Sequence, residues 1–574
     1  MPQSAGQSRS AVFPTSVARL QTGCLRYSPV LSQPPAANLQ ALAKEFFAWR
    51  AVTQPATYDD VNRVERPDGW VPDFSAAALR QHDEMQKKFH DRLDALDHTG
   101  WTVADSVDYL FLHAAIERVN YELNVVRSAR RNPDFYVQQT LGIIYELILQ
   151  PPPFSEARAR NIVLRMQSIP NTVQHAKANL TEGVRFFADM ALANLDDVRE
   201  KLDRVVAGLT PLFPKTQQKP LAEAAKRAAT ALEDYAAWIK QQKPAMGANF
   251  AIGAKNYDWY LRNIALIPFT REEMLLLARQ EWDRAVAFHH YEGLRNADIP
   301  KPALFKNSAE QIEACQRQEQ AIREFMGKKD ILDVPEWMGH YGNLKTPDYI
   351  AALSHLGVVD DLTGPSRLGE NGVHYIPEPS PNLSFFLLSM AQDPRPIIVH
   401  EGTPGHYFQL CLSWAHPNFI RRHYIDSGPI EGLGFYAEEM MLQHGLFDDA
   451  PHTREIIYRF MRLRALRVEV DIKLATGEFS IQDAGRYLAE TVPMDQATAE
   501  GEAAFFASNP GQAISYQIGK IQILRFLAAA KMKLGAAFNL RAFHNFLWQN
   551  GNVPIALLQW EYLGRGDEIK KFFD

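Results

Sequence analysis

Apolar residues recur at three- and four-residue spacing along most of the chain, the period of an amphipathic helix. From 41 to 243 the pattern is nearly continuous, and it is clearest over 107–126, 134–149, 156–169, 173–195 and 221–238. Asn132 before Pro133 reads as a cap followed by Pro at the first helical position. Pro151-Pro152-Pro153 and Leu212-Phe213-Pro214 mark breaks. The outer faces of these helices are charged and carry no catalytic cluster, so this half reads as a scaffold and one wall of a cleft.

Residues 247–258 read as a loop, where the main boundary is placed. Thr270 and Glu273 form a capping-box pattern ahead of a long amphipathic helix, and another helix is expected over 308–326. Between 358 and 395 Gly, Pro, Ser and aromatics rise, and 373–376 and 383–388 read as short strands. The helical period returns after His400 over 430–444, 453–474, 481–491 and 513–534. The expected organisation is a disordered leader at 1–40, an N-terminal helical lobe at 41–245 and a catalytic region at 246–574, with a small sheet near 358–399.

Composition narrows the function classes. With 574 residues, 46% of them hydrophobic, the chain can bury several cores or form one two-lobed enzyme. A net charge of -6 lacks the basic footprint of a nucleic-acid binder. Cys24, Cys315 and Cys411 are too few and too far apart for a disulfide framework or a cysteine zinc site. No apolar run approaches the roughly 18 residues of a membrane span. The first 40 residues lack the apolar core of a secretory signal, and Leu20 to Cys24 only distantly resembles a lipoprotein cleavage site. The compartment stays open between cytoplasm and cell envelope, and the oligomeric state is not legible.

Chemistry concentrates in the run from His400 through Glu401, Gly402, Thr403, Pro404 and Gly405 to His406. Catalytic zinc takes three protein ligands and leaves one position for water, and a Glu beside a ligand His can take that water's proton. The spacing is awkward, because residues six apart stand about 240° apart on a regular helix. Pro404 and Gly405 inside the interval offer the means for a bulge that returns His406 to His400. Glu431 on the following helix is the expected third ligand, with Glu438 seven residues on to orient a ligand histidine. Glu439 is expected on a solvated face. His423 and His444 lack a partner at ligand spacing and read as ordinary helical residues. No phosphate-binding glycine loop and no serine nucleophile elbow is present.

The segment His400 to His406, with Gln409 three residues on, resembles the HExxPGHxxQ motif of a large bacterial family, domain of unknown function 885. Glu431-Gly432-Leu433-Gly434-Phe435-Tyr436-Ala437-Glu438 resembles that family's EGWALYAE motif, with Leu433 where Trp is usual. The likeness is clear over 240–574, including the segments 471–477 and 543–553. The family is similar to helical zincins such as thimet oligopeptidase and carboxypeptidase Taq. That implies a mainly α, two-lobed zincin-like metallopeptidase with a small sheet whose edge strand lines a deep cleft.

Tyr516 and Lys520 fall at i and i+4 on one helical face and match the family's YxxGK segment. Tyr516 is the expected oxyanion donor and Lys520 the expected grip on a substrate carboxylate. Residues 373–376 are the expected edge strand for a peptide added by β-augmentation. His374 and Tyr375 point to opposite faces there, and Tyr375 is carried as the substrate contact. The expected enzyme is a zinc metallohydrolase with His400, His406 and Glu431 as ligands and Glu401 as general base, cleaving short peptides. Its alternatives are a zinc hydrolase of a non-peptide amide or ester, and a non-catalytic envelope binding protein with a vestigial site.

Overall fold

Capping chemistry starts the helices where the sequence signals stand. The Asn132 side chain accepts from the amides of Asp134 and Phe135, with Pro133 at the first helical position. Thr270 and Glu273 close a reciprocal box on the Arg271–Arg295 helix. Each such cap contributes about 1 kcal/mol. The computed structural model describes residues 37–57 and 63–572. The leader expected at 1–40 lies outside the described residues except for 37–40, which open the Ala37–Thr53 helix with Leu39 fully buried.

The architecture is mainly helical with one small sheet. Long helices stand where the period is strongest, including Lys215–Gln242, Ser308–Lys328, Gly428–His444, Pro451–Thr476 and Ile514–Leu534. The pattern over 156–169 and 173–195 divides differently: the Glu156–Asn179 helix runs through Pro170, and a turn precedes the Arg185–Asn194 helix. No helix among the described residues is long and apolar enough to cross a membrane.

Three strands form the sheet: β1 (Tyr341–Lys345), β2 (Asp360–Asp361) and β3 (Gly372–Ile376), in the order β1-β3-β2. β1 runs parallel to β3, pairing Asn343 with His374, and β2 runs antiparallel, pairing Asp360 with His374. Two expectations change here. The strand expected at 373–376 is present, but it is central and not an edge, so its backbone is already paired on both sides. The run 383–388 is not a strand. Its residues from Phe385 on open the Phe385–Gln392 helix, whose buried Phe385, Ser389 and Met390 follow helical spacing. A short, mostly apolar run carries no period that separates the two states.

Packing does not follow chain order. Leu39, Phe46, Phe89 and Phe111 from the first helices share one core with Tyr407, Phe408, Phe435, Phe460 and Trp548. Helices between 133 and 239 form a second core with Tyr349, Leu353, Val373 and Tyr375. The stretch 41–245 is thus divided mainly between these two cores, with Tyr121 in a third beside Tyr257 and Tyr260. A buried ion pair, Arg421 to Asp108 at 2.7 Å, ties the first core's N-terminal and C-terminal parts together.

Three histidines make this packing acid-sensitive. Burial holds His416, His423 and His544 down at about 4, against an ordinary 6.5. His544 Nδ1 stands 2.9 Å from the Ile331 carbonyl and must carry the proton, so Nε2 accepts from the Tyr436 hydroxyl at 2.8 Å. The unfolded chain takes up these protons near 6.5, while the folded chain refuses them until about 4. Their contribution is therefore present above pH 6.5 and is lost as pH falls through that window, by at most about 4 kcal/mol per pH unit for three groups. Circular-dichroism melting across this range is expected to show a steep fall in Tm. His544→Gln should flatten it by about a third, and an unchanged slope would contradict this account.

Candidate metal centre

The helix carrying His400 is widened at the point where the spacing problem arises. Ile398–Gly402 is a π-helical turn, closed by the Thr403 amide donating to the Ile398 carbonyl at 2.8 Å. Such single turns recur at functional sites. Thr403 then leaves helical geometry, at φ -122° and ψ 118°, and a new helix starts at His406. Gly405 is a steric necessity, because a Cβ there would lie 1.7 Å from the His400 carbonyl oxygen. Trp548 Nε1 donates to the Pro404 carbonyl at 2.7 Å and the Thr403 hydroxyl donates to Glu319 at 3.1 Å, pinning the turn on both sides.

This route brings His400 and His406 together. Their ring centroids are 4.7 Å apart at 73°. His400 Nε2 and His406 Nε2 each stand 3.3 Å from Glu431 Oε2. Zinc bonds of about 2.0–2.2 Å place tetrahedral ligand atoms about 3.4 Å apart, so the spacing suits the ion. Gly434, one turn beyond Glu431, makes room: a Cβ there would stand 3.0 Å from His406 Cε1 and 3.1 Å from His400 Cε1. On the far side of the ring, His400 Nδ1 is 2.7 Å from Glu438 Oε1, and Arg464 is 2.9 Å from the same carboxylate. A carboxylate on the far nitrogen directs the other nitrogen to a metal. Two imidazoles and a carboxylate converging in a buried site, with this support behind them, fit a divalent metal ion such as zinc.

Electrostatics separate the two glutamates. Burial works against the Glu431 carboxylate, but His406 and His400 outweigh it and hold the group far below its ordinary range. Desolvation would lower the His400 imidazole, but the Glu431 and Glu438 carboxylates hold it up at about 9. A metal bound there would replace the proton, so its uptake would release protons. Glu401 differs. Desolvation raises its carboxyl, against the pull of His406 and His400. Its side chain is 28% exposed, whereas those of His400, His406 and Glu431 are at most 4% exposed. Glu401 Oε2 is 3.8 Å from His406 Nε2, beside the donor cluster and not within it.

Tyr516 stacks on His400 at 6.0 Å and 14°, with Arg467 4.5 Å from its ring centre. Burial and the Glu431 charge push the phenol well above its ordinary value, so the hydroxyl keeps its proton. Gln512, whose amide is 3.5 Å from that hydroxyl, also lines a cavity shared with Arg50, Arg118, Tyr260 and Asn509.

Lys520 does not face the centre. It is fully buried, with Nζ 2.7 Å from Glu439 and 3.1 Å from Glu281, and Arg284 completes the cluster at 2.8 Å from each carboxylate. The substrate grip expected of Lys520 and the solvated face expected of Glu439 are both corrected: the two pair with each other in the interior. Tyr375 is also corrected. Its hydroxyl donates to the Leu149 carbonyl at 2.8 Å, within the second core. His374 takes the other face. Its Nδ1 is 2.9 Å from Asp360, which also accepts from the Tyr341 hydroxyl at 2.6 Å. Burial alone would lower His374, but Asp360 and then Glu401 raise it. Buried His374 Nε2 and the Asn343 amide, its neighbour in register, have no hydrogen-bond partner among the described residues. His423 stacks on Phe47 and His444 bonds the Met440 carbonyl, both apart from the ligands.

Sequence reading missed Tyr341, Asn343, Asp360, Arg464 and Arg467. The last two had one visible signal, two arginines on an otherwise apolar helical face, and the first three had none. The 20–24 segment lies outside the described residues.

The chain belongs to the family described as bacterial protein of unknown function (DUF885), whose model matches residues 55–561. No curated protein matches it. Among solved structures it is similar to a "putative lipoprotein" of unknown function from Shewanella oneidensis, at 17% identity and TM-score 0.69, covering 93% of this chain and 100% of that one. It is also similar to one so described from Colwellia psychrerythraea, at 16% identity and TM-score 0.68, covering 92% and 97%. At these identities the likeness establishes the fold.

Two substitutions test the reading of the centre. Gly434→Ala is expected to leave the protein folded but to weaken zinc binding about tenfold or more, the scale seen when a ligand's support is lost. Competition with a chromophoric chelator measures this, and unchanged affinity would contradict the packing argument. Lys520→Met strands buried Glu439 and half-buried Glu281 on one arginine and should cost about 3–5 kcal/mol in denaturant unfolding. A change confined to substrate affinity would restore the binding role.

Proposed function

We propose that this protein is a zinc-dependent hydrolase that cleaves the amide bonds of peptides. The observation that carries the reading is the meeting of His400, His406 and Glu431 within 4.8 Å of one another, with the more exposed Glu401 alongside. A zinc ion held by these three supplies a Lewis acid and lowers the pKa of water to about 7.

The chain's own groups account for proton movement. Glu401 accepts the proton of the attacking water on its carboxylate and delivers it to the leaving amine nitrogen. Its raised carboxyl suits both halves of that exchange. The Tyr516 hydroxyl donates to the oxyanion developing on the attacked carbonyl. Glu438 and Arg464 hold the His400 ring against rotation. The peptide class rests on the resemblance to helical zincins and on the sheet beside the centre. β3 is closed on both sides, so an extended substrate adding by backbone pairing uses the outer strand β1, with Asn343 and His374 on the face toward the centre.

The test is hydrolysis of a mixed peptide library with and without a chelator, beside metal analysis of the purified protein. Glu401→Gln is expected to lower turnover by about 10²–10⁴-fold with zinc content unchanged. Tyr516→Phe should lower kcat by about 10²–10³-fold with little change in KM. Chelator-resistant cleavage, or full activity in Glu401→Gln, would refute the mechanism. Cleavage of esters or non-peptide amides alone would replace the substrate class. Well under one zinc per chain after metal-replete expression would favour a vestigial site.

A further inference from the structure

A second cluster of metal-binding side chains lies between the Ala76–Asp94 and Val103–Asn120 helices, which pack side by side. His90 and Asp94 stand at i and i+4 on the first helix, and His113 and Glu117 at i and i+4 on the second, so each pair shares a face. One donor atom from each of His90, His113 and Glu117 lies within 4.8 Å of the others. Among the described residues, the only other such group is the His400, His406 and Glu431 cluster.

The two clusters share an internal logic. His90 Nε2 stands 3.1 Å from Glu117 Oε1, and His90 Nδ1 stands 3.3 Å from Asp94. His400 likewise presents Nε2 to Glu431 and Nδ1 to Glu438. The His113 ring is 5.7 Å from that of His90. Asn120 donates to Glu117 Oε2 at 3.1 Å, which leaves Oε1 toward the histidines. Charge gives a second argument. The Glu117 side chain is 9% exposed, and neither it nor Asp94 is salt-bridged to a lysine or arginine among the described residues. A cation is what the cluster lacks. His90 and Asp94 are partly exposed, so an ion can enter from solvent.

We propose that His90, His113 and Glu117 form a second divalent transition-metal site, with Asp94 orienting His90, and that the ion clamps the two helices. Two imidazoles and a carboxylate suit zinc and leave a coordination position for water. Phe89, Leu93, Val107 and Phe111 from these helices belong to the core that also supports the first metal centre. The clamp therefore stabilises the wall on which that centre rests.

The test counts zinc in the full chain after metal-replete expression and measures affinity by chelator competition. Wild type is expected to hold two equivalents tighter than about 1 μM. The His90→Ala/His113→Ala variant should hold one equivalent, as should His406→Ala. Zinc should raise the Tm of His406→Ala but not that of the protein carrying all three changes. Asp94→Asn, which preserves shape, should weaken the second site about 10–100-fold. Failure of the catalytic reading is distinguishable: wild type would then hold one equivalent, lost in His90→Ala/His113→Ala and kept in His406→Ala. The proposal is overturned if folded His406→Ala binds no zinc, or if His90→Ala/His113→Ala retains every equivalent of the wild type.

Discussion

Glu431 places one carboxylate oxygen between two imidazoles in the protein interior, and much of the surrounding structure serves that placement. A buried carboxylate without partners would cost several kcal/mol. Here two rings face it at 3.3 Å, one of them is held from behind by Glu438, and Glu438 is itself paired with Arg464. Acidic and basic side chains alternate along this chain of contacts. Removing one would propagate along the line, because each group's orientation depends on the next.

The helix Gly428–His444 carries most of that order. Glu431, Gly434 and Glu438 lie toward the π turn, while Glu439 turns toward Lys520. The Lys520, Glu439, Glu281 and Arg284 cluster joins three helices behind the centre: Gly428–His444, Ile514–Leu534 and Arg271–Arg295. Tyr516 rides on the second of these, one turn from Lys520. A polar network that looks on paper like substrate recognition therefore sets the distance between Tyr516 and the Gly428–His444 helix. Networks of this kind constrain geometry when every member is satisfied.

The sheet links this assembly to the helices on its other side. β3 sends Tyr375 into the second core and His374 to Asp360 on the side of the candidate centre, so one strand registers both. Asp360 and Tyr341, from the two flanking strands, fix the His374 ring. The strand alternation that makes only one of two neighbours available to the centre is a matter of period two, but the choice between them belongs to packing.

Much was legible along the chain. Helical periodicity, the caps at Asn132 and Thr270, and the residue types at 400, 406, 431 and 438 pointed to a mainly helical fold and to side chains that do converge, with Glu438 behind His400. These signals are local, or depend on a spacing that helix geometry translates directly into direction. Gly405 advertised the bulge because few other residues tolerate so close a backbone approach. The remainder depended on which surfaces meet. A short apolar run such as 383–388 carries no period of its own. Whether β3 is central or peripheral depends on β1, recruited from 341–345, which no turn signal announces. Lys520 and Tyr516 share a helical face, yet burial against Glu439 assigns one to the scaffold and stacking on His400 leaves the other beside the centre. Periodicity gives a side chain its direction along its own helix or strand; only the three-dimensional packing supplies the partner waiting there.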